Sequence, residues 1–73
     1  MIMETVSIRD EYIKLGQLLK LAGLAESGAE AKIEITEGRV RVNGETVLER
    51  GKKIYHGDII SFRGKDIEVK NKG

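Results

Sequence analysis

Residues 27–44 read Ser-Gly-Ala-Glu-Ala-Lys-Ile-Glu-Ile-Thr-Glu-Gly-Arg-Val-Arg-Val-Asn-Gly, and this stretch decides the fold. Ser27 and Glu30 have the spacing of a capping box, in which each residue satisfies a free backbone donor of the other at a helix start. Ala, Glu and Lys favour the helical conformation, and Gly38 is the kind of residue that follows a helix end. The stretch therefore predicts a helix over about residues 28–37, although its apolar residues alternate as they would in a strand.

The sequence after this helix predicts a β-hairpin. Arg39 and Arg41 alternate with two valines, so the two arginines should face away from the core. Asn43 and Gly44 form the strongest short hairpin signal, because both tolerate the positive φ of a type I′ turn. Lys32 and the two arginines are thus expected around one helix-to-strand corner, which can hold phosphate oxygens without any catalytic chemistry.

The remaining patterns complete an α+β fold in which two short helices pack on a small, mostly antiparallel sheet. A first helix begins at Leu15, because leucines and alanine then recur on one helical face, and Gly23 ends it. We expect a single domain over residues 1–73. Its other elements are an N-terminal extension or edge strand within 1–12, strands over 46–48, 59–62 and around 67–69, and a frayed end at 71–73.

Composition excludes several classes of protein. The 73 residues include no cysteine and one histidine, so neither disulfides nor a zinc cluster can stabilise the domain. No apolar run is long enough to cross a bilayer, and the N-terminus lacks a secretory signal, so we expect a cytoplasmic protein. The net charge is only +1, but residues 1–38 carry four basic and seven acidic side chains and residues 39–73 carry nine and five. This asymmetry indicates a basic face.

No arrangement of residues predicts catalysis. Ser27 is interpreted as a helix cap and His56 as a turn residue, because no motif brings the two together. The glutamates at 26, 30, 34 and 37 are interpreted as a solvated helix face. We therefore expect no catalytic residue, no metal site and no cofactor. Three aromatic residues offer little surface for stacking nucleic-acid bases, so we expect recognition by shape instead.

Four motifs in order resemble the S-four-type RNA-binding domain, which is named after a protein of the small ribosomal subunit. They are Leu15-Gly16-Gln17-Leu18-Leu19, Ser27 with Ala31-Lys32, Gly38-Arg39-Val40-Arg41-Val42-Asn43-Gly44, and Gly57-Asp58-Ile59-Ile60. Together they cover about two-thirds of the chain, and the phrasing is similar to that of small stand-alone bacterial members. The chain departs from the family pattern at Gly16, at Gly28, where many members have arginine, and at Arg50, where many have proline.

The resemblance implies a non-catalytic module that binds structured ribosomal or transfer RNA and acts in ribosome assembly or RNA metabolism. We expect it to be a monomer with no small-molecule substrate and no membrane partner. The residues expected to contact RNA are Lys14, Lys32, Arg39, Arg41, Arg50, Lys52 and Lys53. Two alternatives stay open. One is a ubiquitin-like sulfur carrier, although the chain ends Lys72-Gly73 without the Gly-Gly tail of that class. The other is a protein-interaction adaptor that uses the acidic helix face.

Overall fold

The computed structural model describes residues 2–72, which contain seven strands and two helices. The elements are β1 (Ile2–Ile8), β2 (Tyr12–Lys14), α1 (Leu15–Leu21), α2 (Gly28–Thr36), β3 (Arg41–Val42), β4 (Glu45–Thr46), β5 (Lys53–Tyr55), β6 (Ile59–Phe62) and β7 (Lys65–Asn71). A five-stranded sheet has the order β1-β7-β6-β3-β4, and β2 pairs with β5 in a separate ribbon. Only β1 and β7 are parallel, so the predicted mostly antiparallel α+β fold is confirmed.

Helix α2 begins and ends where its sequence predicts. The backbone N–H of Glu30 donates to Ser27 Oγ at 3.1 Å, which makes Ser27 the N-cap. Gly38 follows the helix end with a φ of +78°, a conformation that glycine adopts without strain. Ala31 and Ile35 are fully buried whereas Ile33 is 55% exposed. That burial follows a helical period, so the alternating pattern of apolar residues does not reflect a strand.

The Asn43-Gly44 hairpin is hydrogen-bonded to a second turn far along the chain. Both residues have positive φ, at 52° and 86°, as a type I′ turn requires. The Asn43 side chain accepts from the Ile59 N–H at 2.9 Å and donates to Asp58 Oδ1 at 3.1 Å. Asp58 Oδ2 in turn accepts from the Tyr55 N–H at 2.8 Å. The Val-Asn-Gly and Gly-Asp motifs therefore meet in one hydrogen-bonded network that joins β3, β5 and β6.

The first and the last strand, β1 and β7, lie side by side at one edge of the large sheet. The predicted N-terminal edge strand is confirmed, and it is longer than the pattern over residues 5–8 indicates. The expected frayed end is wrong for Asn71, which belongs to β7 and whose N–H donates to His56 Nδ1 at 2.9 Å. The N–H of Lys72 donates to the Ile8 carbonyl at 3.0 Å. Residue 73 lies outside the described residues.

The core lies between the two helices and one face of the five-stranded sheet. One cluster of buried side chains joins both helices to the strands; its fully buried members include Leu15, Leu18, Leu19, Ala31, Ile35, Val40, Ile54, Ile60 and Val69. The other face of the sheet carries polar residues, where Arg41 lies opposite Ser61 and Ser61 lies opposite Asp66. The strands therefore present Arg41 on the face that no core residue occupies.

The β2–β5 ribbon is the element that the sequence did not predict. Its three residue pairs run antiparallel, with Ile13 opposite Ile54, which is fully buried. Just beyond the ribbon, the N–H of Leu15 donates to the Lys52 carbonyl at 2.9 Å, and the N–H of Gly16 donates to the Arg50 carbonyl at 3.0 Å. The ribbon thus holds the basic loop 50–52 against the first turn of α1.

Candidate functional site

Three arginines converge on the end of β3 and the β6–β7 turn. Arg39, Arg41 and Arg63 line one shallow concavity of about 210 Å³, together with the Ser61–Gly64 backbone segment. The guanidinium carbon of Arg63 lies 4.8 Å from the centroid of the Phe62 ring, a cation–π distance. We call this set of three residues the arginine corner.

A buried glutamate on α2 anchors the arginine corner. Glu34 Oε1 accepts from Arg39 Nη1 at 3.0 Å and lies 3.5 Å from Arg63 Nη2. The Glu34 side chain is 8% exposed, whereas those of Arg39 and Arg63 are 56% and 61% exposed. One carboxylate therefore orients two arginines and leaves more than half of each arginine side chain exposed to solvent. Arg39 and Arg63 share this one carboxylate, and Arg41 forms no ion pair within residues 2–72, so the corner keeps an excess positive charge.

This arrangement corrects the interpretation of the acidic helix residues. Glu34 was expected on a solvated acidic face, but it is buried and pairs with Arg39, which precedes β3, and with Arg63 in the β6–β7 turn. Its second carboxylate oxygen is buried and has no hydrogen-bond partner among residues 2–72. Glu26 and Glu37 are exposed as expected, and Glu30 is half-buried.

A second basic cluster forms where α1 begins. Lys14, Lys20 and Arg50 line a groove of about 270 Å³, and Gly28 at the first residue of α2 lies on its wall. The backbone hydrogen bonds from α1 to the loop 50–52 bring Arg50 to this position. We call these three residues the lysine groove. Within residues 2–72, no carboxylate forms an ion pair with any of them.

Helix α2 connects the two clusters. Its first residue lies on the wall of the lysine groove, and Glu34 near its last turn holds the arginine corner. A helix of nine residues is about 13 Å long. That distance is shorter than one turn of a nucleic-acid duplex, which is about 34 Å for DNA. One helical segment of a polyanion is thus long enough to contact both clusters.

The structure separates the predicted site residues into groups. Arg39 and Arg41 lie in the arginine corner, whereas Lys14 and Arg50 lie in the lysine groove. Lys52 and Lys53 border a separate cleft beside residues 45–49. Lys32 is exposed on α2 and lines neither of the two concavities, so it stays a predicted RNA contact outside both clusters.

Two cationic residues of these clusters were missed in the sequence. Arg63 was interpreted only as part of a turn, and its φ of 52° confirms that turn. The signal that could have found it is the pairing of β6 with β3, because strand pairing brings the end of β6 beside Arg39 and Arg41. Lys20 of α1 is not among the residues that the sequence predicts to contact RNA. It lies one helical turn after Gln17, which also lines the lysine groove.

The two residues considered for catalysis have structural roles. Ser27 caps α2, as predicted, and its hydroxyl accepts from a helix N–H. His56 lies in the turn after β5, as predicted, and its Nδ1 accepts from the backbone of β7.

The chain belongs to the S4 domain family, whose model matches residues 6–70. Its sequence is 43% identical to YbcJ from Escherichia coli over 68 residues, which are 92% of this chain and 97% of that protein. It is 46% identical over 59 residues to a probable ribosome maturation protein, RlbA, from Bacillus subtilis, covering 81% and 83% of the two chains. The predicted resemblance to small stand-alone members of the family is therefore confirmed.

The chain is also similar to a solved structure and to part of a larger enzyme. The solution structure of YbcJ from E. coli, described as having an αL motif involved in RNA binding, matches with a TM-score of 0.72 and 41% identity over 96% of this chain and 90% of that one. A tyrosine–tRNA ligase from Burkholderia lata is 38% identical over 61 residues, which are 84% of this chain but 15% of the ligase.

No helix within residues 2–72 is both long and apolar enough to span a membrane.

Proposed function

We propose that this chain is a non-catalytic RNA-binding module that recognises structured ribosomal or transfer RNA through the arginine corner and the lysine groove. The observation that carries the proposal is the buried Glu34, which fixes two arginines while more than half of each arginine side chain stays exposed. Preorganised arginines match phosphate geometry well, because the planar guanidinium presents a fork of donors. The S4 family membership and the αL motif of YbcJ support the same function.

The chemistry of the two clusters favours contacts with the RNA backbone. Both clusters consist of cationic side chains on shallow, open surfaces, and such contacts give affinity and orientation but little base information. Recognition of a folded RNA by its shape follows from this arrangement. A cytoplasmic role of a monomer in ribosome assembly or RNA metabolism is consistent with the ribosome maturation relative.

The alternatives have less support. The S4 family membership favours RNA binding over a ubiquitin-like sulfur carrier. The protein adaptor was based on four glutamates along one helix, but Glu34 is buried against arginines and is unavailable to a partner. The similarity to a tyrosine–tRNA ligase covers 15% of that enzyme, so it gives no reason to propose aminoacylation here.

Salt dependence tests the proposed mode of binding. If about five phosphates are contacted, the logarithm of the association constant should fall with the logarithm of salt concentration with a slope of about −4. Affinity for ribosomal RNA or bulk transfer RNA would then drop by a few hundredfold between about 50 mM and about 200 mM salt. Fluorescence anisotropy or filter binding at several salt concentrations measures this slope. A flat response would contradict the proposal, and crosslinking in cells followed by sequencing would identify the RNA.

A gain of affinity is expected at Gly28, where many family members carry arginine. No atom lies within 4 Å of the position that a Cβ would occupy there, so a side chain fits without displacing a neighbour. Gly28→Arg would add a fourth cation to the lysine groove and should tighten RNA binding by about three- to tenfold at low salt. The matched control is Gly28→Ala, which removes the same glycine from the helix but adds no charge. Equal affinities of the two variants would show that the groove does not contact RNA.

A further inference from the structure

The solvent face of the β2–β5 ribbon has an unusual set of side chains. Residues alternate sides along a strand, and Ile13 and Ile54 point toward the core. The opposite face therefore carries the remaining four residues of the ribbon: Tyr12, Lys14, Lys53 and Tyr55. Tyr12 is paired with Tyr55, and Lys14 with Lys53, so two aromatic rings lie at one end of the face and two cations at the other.

The two tyrosines differ in how much of each ring is free. The ring centroids are 5.8 Å apart with planes tilted by 49°, so Tyr12 supports Tyr55 from the side. Lys53 Nζ lies 4.9 Å from the centroid of the Tyr12 ring and covers one face of it. Tyr55 remains 42% exposed. It is therefore the ring with a face available to a ligand, and the Lys53 ammonium lies over the neighbouring ring of Tyr12.

We propose that this ribbon face binds an unpaired nucleotide segment that flanks the structured RNA, with one base stacked on Tyr55 and the adjoining phosphates on Lys53 and Lys14. Aromatic side chains next to cations bind single-stranded nucleic acid in this way, because every base has a π-face and every nucleotide has a phosphate. The inference rests on the proposed RNA-binding function. It revises the expectation that so few aromatic residues exclude base stacking.

The ribbon face is continuous with the lysine groove. Lys14 belongs to both, since it is the last residue of β2 and lines the groove at the start of α1. A strand that leaves a duplex held at the groove can therefore pass directly along Lys14 and Lys53 to Tyr55. Lys14 and Lys53 attract the phosphates of the strand, so they set the direction in which it runs.

Nearby carboxylates confine the path to the ribbon. Glu45 and Glu49 line the same cleft as Tyr55, so they repel phosphates from that cleft. Glu11 precedes the ribbon at the end away from Lys14. Asp58 is already hydrogen-bonded to the Tyr55 N–H and to Asn43. Because the ribbon residues themselves include no acid, a polyanion fits this face better than a protein surface of mixed charge.

The natural fluorescence of the chain gives a direct test, because the sequence has two tyrosines and no tryptophan. Both tyrosines lie in the proposed site, so stacking of a base should quench the fluorescence. Three RNA probes are compared: a blunt hairpin, the same hairpin with a single-stranded extension of about ten nucleotides, and a hairpin whose extension lacks bases. We expect the natural extension to quench tyrosine fluorescence and to bind about tenfold more tightly than the abasic extension, which keeps the phosphate contacts but neither stacks nor quenches.

Variants at Tyr55 complete the experiment. Tyr55→Leu keeps an apolar side chain but removes the π-face, so it should abolish the difference in affinity between the natural and the abasic extension and leave blunt-hairpin binding unchanged. Tyr55→Phe should retain this difference. If the hairpin binds but the extension adds no affinity and no quenching, the stacking site is wrong while the proposed function stands. Equal affinities of the natural and the abasic extension would also overturn the stacking site. If none of the three probes binds at low salt, the proposed function itself fails.

Discussion

Replacing Arg39 and Arg41 together with glutamate should weaken binding to structured RNA by about a hundredfold at low salt. Each arginine is expected to make a charge-assisted contact with phosphate, and losing one such contact costs at least about 1.4 kcal/mol, or tenfold. The slope of affinity against salt should also become shallower by almost two units, because two fewer counterions are released. Anisotropy titrations of both proteins with one structured RNA, at several salt concentrations, measure both effects.

The control for this variant has the same change in net charge at the other edge of the sheet. Arg9→Glu with Lys72→Glu alters exposed residues beside β1 and β7, whereas Arg39 and Arg41 lie beside and within β3. Equal losses in the two double variants would mean that net charge, and not the arginine corner, governs binding.

Arg39 also pairs with Glu34, so its reversal affects folding as well as binding. The single variant Arg41→Glu separates the two effects, since no carboxylate within residues 2–72 forms an ion pair with Arg41. It should lose about tenfold in affinity and little in thermal stability.

Local signals in the sequence were sufficient for most of the fold. Ser27 specifies a helix start and Asn43-Gly44 a type I′ turn through interactions within three or four residues, and both are found as predicted. The cap and the terminal glycine of α2 correctly predict a helix, although the alternating apolar pattern of the same residues is typical of a strand. Such features depend on backbone conformation, which nearby residues determine.

Features that depend on distant pairing could not be predicted in the same way. The β2–β5 ribbon joins two segments of three residues that are about forty positions apart, and neither segment is long enough to show a period. The inward orientation of Glu34 depends on Arg63, which reaches it only because β6 pairs with β3. The sequence therefore predicts a basic corner, but the carboxylate that anchors it and its third arginine could be identified only from the tertiary structure.

Phe62→Ala should largely unfold the domain at room temperature. Phe62 is the largest of the deeply buried side chains, at 2% exposure, and truncating a buried phenylalanine costs about 3–5 kcal/mol. A single core in a domain of fewer than about 70–80 residues rarely supplies more than about 3–5 kcal/mol in total. The loss is thus comparable with the whole free energy of unfolding. Urea denaturation followed by circular dichroism measures it.

Ile33→Ala is the matched control, because Ile33 is 55% exposed on α2 and alanine favours the helix. It should change the free energy of unfolding by less than about 0.5 kcal/mol. Since Phe62 lies under the guanidinium of Arg63, its loss should also abolish RNA binding, whereas Ile33→Ala should bind normally. A Phe62→Ala protein that stayed folded would show that the β6–β7 turn can repack, and its RNA affinity would then report directly on how far the arginine corner depends on the ring beneath it.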